Sequence, residues 1–124
     1  TQYKYEVHAT DLSRKDMIPL EMTILARSTD EFDDWNKHDG EEFVYVISGA
    51  IEVHTEYYAP VVLGQGDSIY FDSSMGHYYL SKSEEPAKVL SICYDPNAHK
   101  QSDVSEFFKA GRLEVRRAGE VHNI

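Results

Sequence analysis

The chain has 124 residues, a hydrophobic fraction of 41% and a formal net charge of −10 from 22 acidic against 12 basic residues. That length fits one domain around one core, the composition is that of a folded chain, and no apolar run approaches the roughly 20 residues of a membrane helix. The charge repels phosphate backbones, which excludes direct nucleic-acid binding by this segment, and the lone Cys93 excludes an internal disulfide or a thiolate-rich zinc site and fits a reducing cytoplasm.

Along the chain, TQYKYEVHAT shows neither a basic n-region nor an apolar h-region, so no secretory signal is read there. The start at Thr1 without Met reads as a fragment of something longer. The acidic stretch TDEFDDW is a solvated loop. From about residue 18 to 96, short β-branched and aromatic runs alternate with Gly, Asp, Ser and Pro, the pattern of an all-β sandwich or barrel. Strands are predicted at 20–26, 42–47, 50–56, 59–63, 68–71, 78–81 and 88–94. The links SGA and GQGD are short Gly-containing connections between antiparallel strands, and GQGD is a turn, not a nucleotide loop. Cys93, in SICYD, is expected in a strand as core. Within the tail 100–124, Asp103 can cap a short helix carrying Val104, Phe107 and Phe108. The final GRLEVRRAGEVHNI is left open among an extra strand, a partner contact and an unstructured end.

The chemistry concentrates in WNKHDGEEFVYVISG. His38 and Glu42 are an even number of residues apart, so in an extended segment they point to one face, and Asn36 shares their parity. An imidazole and a carboxylate in one cavity suit a divalent metal, and a second imidazole would complete two His and one carboxylate; His77 is the candidate. The alternative is a buried Glu42–His77 pair with no ion. If Glu42 points inward, so do Val44 and Val46, while Phe43, Tyr45 and Ile47 face outward and need a cover, for which a second copy of the chain is expected. The expected assembly is therefore a homodimer. Tyr45, Tyr70 and Tyr79 are candidate ligand-binding residues, with hydroxyls on amphipathic rings. His8, His54, His99 and His122 are read as surface or hydrogen-bonded histidines.

H-x3-E-x6-G at His38, Glu42 and Gly49, followed by G-x10-H at Gly66 and His77, resembles the paired motifs G-x5-H-x-H-x3,4-E-x6-G and G-x5-P-x-G-x2-H-x3-N of the cupin superfamily. The resemblance implies one cupin domain over 1–124, a double-stranded β-helix (jelly-roll) barrel. It also implies a metal site of His38, Glu42 and His77 for Fe, Ni, Mn or Zn. The first family histidine falls on Asn36, a weak or water-mediated ligand at most. Asp72, Ser74 and Ser81 stand where the second motif has Pro, Gly and Asn.

EEFVYVISGAIEV with GDSIYFDSSMGH further resembles the C-terminal sensor cupin of bacterial transcriptional regulators that carry an N-terminal, lambda-repressor-like helix-turn-helix. That resemblance implies a cytoplasmic small-molecule sensor lacking its DNA-binding part. The competing reading is a metal-dependent oxidoreductase, a non-haem Fe(II) oxygenase or epoxidase, using the same three residues.

Overall fold

Alternating inward and outward side chains organise the chain as antiparallel strands. The computed structural model describes residues 1–12, 15–95 and 113–120. These contain β1 (Tyr3–Val7), β2 (Met17–Ile24), β3 (Glu41–Ser48), β4 (Ala50–Thr55), β5 (Val61–Gly64), β6 (Ser68–Asp72), β7 (His77–Ser81), β8 (Ala87–Tyr94) and β9 (Leu113–Arg116). A six-stranded sheet runs β1-β2-β8-β3-β6-β9 and a three-stranded sheet runs β5-β4-β7, every pairing being antiparallel. The architecture is the all-β jelly-roll barrel. No helix among the described residues is long and apolar enough to cross a membrane.

The core lies between the sheets. Val44, Val46 and Phe71 of the larger sheet and Ile51, Val53 and Leu63 of the smaller one belong to one buried cluster. Parity on β3 runs as the sequence requires: Val44 and Val46 are wholly buried, while Tyr45 and Ile47 are each 39% exposed on the outer face. The β3–β4 link turns at Gly49, whose φ is +78°; a Cβ there would stand 2.5 Å from Ser83 Oγ and 3.0 Å from Ala87 Cα. Only glycine meets both demands.

Both chain ends add strands beyond the seven predicted. In β1, Tyr3 is buried and Tyr5 lies two residues on, and the strand pairs along β2 from Tyr3–Ile24 to Val7–Leu20. Toward the C-terminus, β9 joins the free edge of β6. Arg117 Nη1 then donates to the Val62 carbonyl at 2.7 Å and Asp67 Oδ2 at 3.2 Å, and the Ala118 N–H donates to Asp67 Oδ1 at 2.7 Å. The helix expected after Asp103 lies outside the described residues, which contain no α-helix and a single 3-10 turn at Thr29–Glu31.

Phe71 is fully buried, and its ring meets His77 edge-on at 4.8 Å. Phe71→Ala is expected to lower folding stability by about 3–5 kcal/mol, read from urea unfolding, because the cavity forms where both sheets are closed.

Candidate metal centre and cavity

The parity that buries Val44 and Val46 also turns Glu42 inward, leaving it 3% exposed. A carboxylate in that position is tolerated only with partners. The approach to β3 supplies one. Gly40, at φ +100°, lies so close to the Tyr94 carbonyl that any Cβ would overlap it, and its own carbonyl accepts the Ser73 N–H at 3.0 Å. The His38 N–H donates to the Ser73 carbonyl at 3.0 Å, while Asn36 and His77 exchange backbone bonds at 3.2 and 3.0 Å. The 36–40 segment is thereby laid across the start of β7, bringing two histidines to one carboxylate.

His38 Nε2 stands 2.9 Å and His77 Nε2 3.5 Å from the same oxygen, Glu42 Oε1. One ligand atom from each of the three residues lies within 4.8 Å of the others. The imidazoles are nearly perpendicular, with centroids 5.1 Å apart. His77 Nδ1 donates to the Met75 carbonyl at 2.9 Å; a carbonyl can only accept, so Nδ1 carries a proton and Nε2 is the ring nitrogen turned toward Glu42. The other carboxylate oxygen, Oε2, accepts from the Tyr79 hydroxyl and from Ser91 Oγ at 3.1 Å. Glu42 thus shows one oxygen to the imidazoles and keeps the other tied back. Two imidazole nitrogens and one carboxylate oxygen, with oriented supports, fit a divalent first-row metal such as Fe, Ni, Mn or Zn.

Charge follows this geometry. Burial opposes ionisation of Glu42, but hydrogen bonds from His38 and His77, the His77 charge and the Tyr79 hydroxyl outweigh it, holding the carboxyl well below the usual range. Burial alone would lower His38; its bond to Glu42 and that carboxylate's charge raise it instead. Cys93 Sγ points at Glu42 Oε1 from 3.5 Å, and burial first, then the Glu42 charge, pushes its thiol up to about 12. Cys93 is therefore a neutral thiol at pH 7, not a nucleophile.

The group forms the floor of a cavity of about 440 Å³. Tyr3, Met22 and Tyr79 line its deeper walls, and Tyr5, Ile18 and Tyr94 stand at its more exposed side. Asn36 lines it as well, beside His38, Glu42 and His77. Of the three tyrosines expected to bind a ligand, only Tyr79 is there. Tyr45 and Tyr70 correct that expectation: both lie on the outer face, 39% and 41% exposed, because each has the parity opposite to the inward residues of its strand. His8 and His54 pair with Glu21 and Glu52 at 3.4 and 2.7 Å, away from the site, while His99 and His122 lie outside the described residues.

Sequence reasoning missed Ser91 and its support of Glu42, placed Cys93 in the core rather than at the cavity wall, and missed the apolar wall from β1 and β2. The β3–β8 register sets Cys93 opposite Glu42, so Ser91, two residues earlier, shares its face. The alternation was visible, but the register that makes it meaningful is a long-range fact.

A family model described as "Cupin domain" matches residues 23–93. No curated protein matches the chain. Among solved structures, hydroxypropylphosphonic acid epoxidase from S. wedmorenis is similar at 21% identity and TM-score 0.62, over 75% of this chain and 51% of that one. Fe(II) HppE in complex with substrate is similar at 21% identity and TM-score 0.60, over 73% and 52%. A mannose-6-phosphate isomerase-like protein from Ralstonia eutropha JMP134 gives 22% and 0.62, over 75% and 84%. The chain spans about half the length of the epoxidase chains it matches.

In metal-free protein, the depressed Glu42 carboxyl contributes stability that is present above the ordinary glutamate value, about pH 4.3, and lost as the pH falls through the folded value. Tyr79→Phe removes one donor from a buried carboxylate, so a loss of about 1–3 kcal/mol is expected near neutral pH. The acid limb of the stability curve should also move to higher pH. Chelator-treated samples followed by urea unfolding from pH 3 to 8 measure both; an unmoved acid limb would contradict the role given to Tyr79.

Proposed function

This chain belongs to the cupin domain family, and on that footing we propose that His38, Glu42 and His77 hold a divalent transition metal and that the adjoining cavity binds a small organic substrate of a metal-dependent oxidoreductase. The observation that carries this reading is the convergence of two imidazole nitrogens and one carboxylate oxygen within 4.8 Å at the cavity floor. Two His and one carboxylate are the donor set of non-haem Fe(II) oxygenases. When bound, such an ion supplies Lewis acidity and, as iron, one-electron chemistry with oxygen.

The chain's own residues do the positioning. The Met75 carbonyl fixes the His77 tautomer, and Tyr79 and Ser91 hold Glu42 Oε2 so that Oε1 is the oxygen presented. Met22 and Tyr3 keep the depth of the cavity apolar, which strengthens any charge interaction made there. Where the family pattern has another histidine, Asn36 offers a neutral amide that competes poorly for a transition metal, so substrate meets a centre with three strong protein ligands.

A second reading keeps the same site but assigns it to ligand sensing in a bacterial transcriptional regulator, in the cytoplasm, with DNA contact made by a region outside this domain. It is favoured by the commitment of cavity hydroxyls: those of Tyr79 and Ser91 donate to Glu42, and that of Tyr3 accepts the Tyr79 N–H at 2.8 Å. A cavity so arranged grips a ligand more readily than it moves a proton.

Metal analysis of protein purified without chelator tests the shared premise. One equivalent of Fe, Ni, Mn or Zn per chain is expected, with affinity reduced at least about tenfold in His77→Ala, in the range seen when ligands or their supports are lost. Metal-free wild-type protein that cannot be loaded by any of the four overturns it.

We also propose that the outer face pairs two copies of the chain. Met17, Tyr45, Ile47, Tyr70 and Tyr94 are exposed on the larger sheet, an apolar area that a two-fold contact would cover. Light scattering of the intact chain at micromolar concentration should give twice the 14.2 kDa chain mass, and Tyr45→Lys should shift it toward monomer.

A further inference from the structure

One carboxylate holds the residue that precedes each histidine of the centre. Glu56, which follows β4, accepts the Gly76 N–H on Oε1 at 2.7 Å, and Lys37 Nζ stands 3.3 Å from the same oxygen. Gly76 is the neighbour of His77 and Lys37 the neighbour of His38. The Glu56 N–H also donates to the Gly76 carbonyl at 3.0 Å, so both backbone polar groups of Gly76 go to this one residue. Asn36 and His77 meanwhile exchange backbone bonds at 3.2 and 3.0 Å. These contacts close a circuit that runs from Asn36 through Lys37 to Glu56, on to Gly76 and His77, and back to Asn36.

The circuit stands outside the cavity, since Lys37, Glu56 and Gly76 are not among the residues that line it. It is also tightly packed. A Cβ on Gly76 would lie 2.5 Å from Trp35 Cβ and 2.8 Å from Glu56 Oε1, so the close approach of these segments requires glycine for its lack of a side chain. The Lys37 and Glu56 side chains are 54% and 21% exposed, and an ion pair so near solvent adds little stability by itself. Its effect is geometric. An imidazole follows the backbone that carries it, and ligand groups must be held to within about 0.5 Å for productive coordination. The bond from a backbone N–H to a charged carboxylate is a strong one, so Gly76 is the firmer of the two points that Glu56 grips.

We propose that Glu56 is a positioning residue shared by both imidazoles: by clasping Lys37 and Gly76 it sets the separation of His38 and His77 from outside the cavity, and with it the metal affinity. Glu42 meets the two rings from within, and Glu56 holds the two segments from without. The effect on affinity rests on the metal reading above; the placement of the rings does not.

The test compares intact wild-type chain with Glu56→Ala, Glu56→Gln, Lys37→Met and Asp67→Ala. Asp67 supplies the control, because its carboxylate likewise holds two backbone N–H groups, of Gly64 and Ala118, and a cation, Arg117, on the β5–β6 link. Nickel affinity is measured by competition with a chelator, and the His38 and His77 ring signals by nuclear magnetic resonance of metal-free protein at one fixed pH. Glu56→Ala should weaken nickel binding about tenfold, in the range seen when the support of a metal ligand is removed, and should move both ring signals. Lys37→Met, which leaves the Gly76 bond in place, should cost about threefold. Glu56→Gln keeps a neutral acceptor for Gly76 and should fall between them. Asp67→Ala should lower stability to urea yet leave nickel affinity within about twofold and both rings in place. Should Glu56→Ala not fold, Glu56→Gln and Lys37→Met carry the same comparison. Nickel affinity within about twofold of wild type in a folded Glu56 variant, or an equal loss in Asp67→Ala, overturns the proposal. Failure of the metal reading has a different signature: the wild-type chain takes up no nickel, and the proposal then stands if the Glu56 variants move both rings and falls if they do not.

Discussion

A buried carboxylate sets the terms for this fold. Glu42 sits on the core face of a central strand, where an unpaired charge would cost several kcal/mol or force protonation. Five side chains answer it: His38, His77 and Cys93 at Oε1, Tyr79 and Ser91 at Oε2. They come from the segment before β3, from β7 and from β8, so satisfying one charge ties both sheets together. Weakening any of these supports changes the packing of the barrel and the chemistry of its floor at once.

Glycine geometry and backbone pairing give that arrangement its precision. Gly40 permits a close pass beside Tyr94, and the paired bonds between Asn36 and His77 fix where the His38 segment crosses β7. The histidines are placed by main chain and carbonyl partners, so their orientation does not depend on the ion. A site built in this way would be organised before any metal bound, which would lower the ordering cost of binding.

How much of this was legible in the sequence depends on the range of the interaction concerned. Local signals served well: β-branched and aromatic runs marked strands close to β2 through β8, and period-two parity put Glu42, Val44 and Val46 on one face and Tyr45 and Ile47 on the other. The spacing of His38, Glu42 and His77 named a group that the structure brings together. Register was illegible, because nothing near Ser91 or Cys93 states that β8 lies beside β3 with Cys93 opposite Glu42. Tyr45 and Tyr70 were misassigned on ring chemistry that suits a pocket, although parity, legible in the sequence for Tyr45, sends both outward. β1 was missed, and β9 was one of three readings left open for the tail, for a related reason: each is short, carries charged residues, and is a strand because an edge of the larger sheet is there to receive it.

Replacing one family histidine by Asn36 has a consequence that follows from charge as well as from ligand number. A third imidazole would add a strong donor without altering net charge, and would close a position toward the cavity. With Asn36 the floor has fewer strong donors, so more of the bonding falls to whatever molecule enters. The walls supply little polar competition at depth, since Tyr3 and Met22 are apolar there and the Tyr79 hydroxyl is already bound to Glu42. Ligand affinity in such a site is governed by the fit between one polar head of the ligand and the floor.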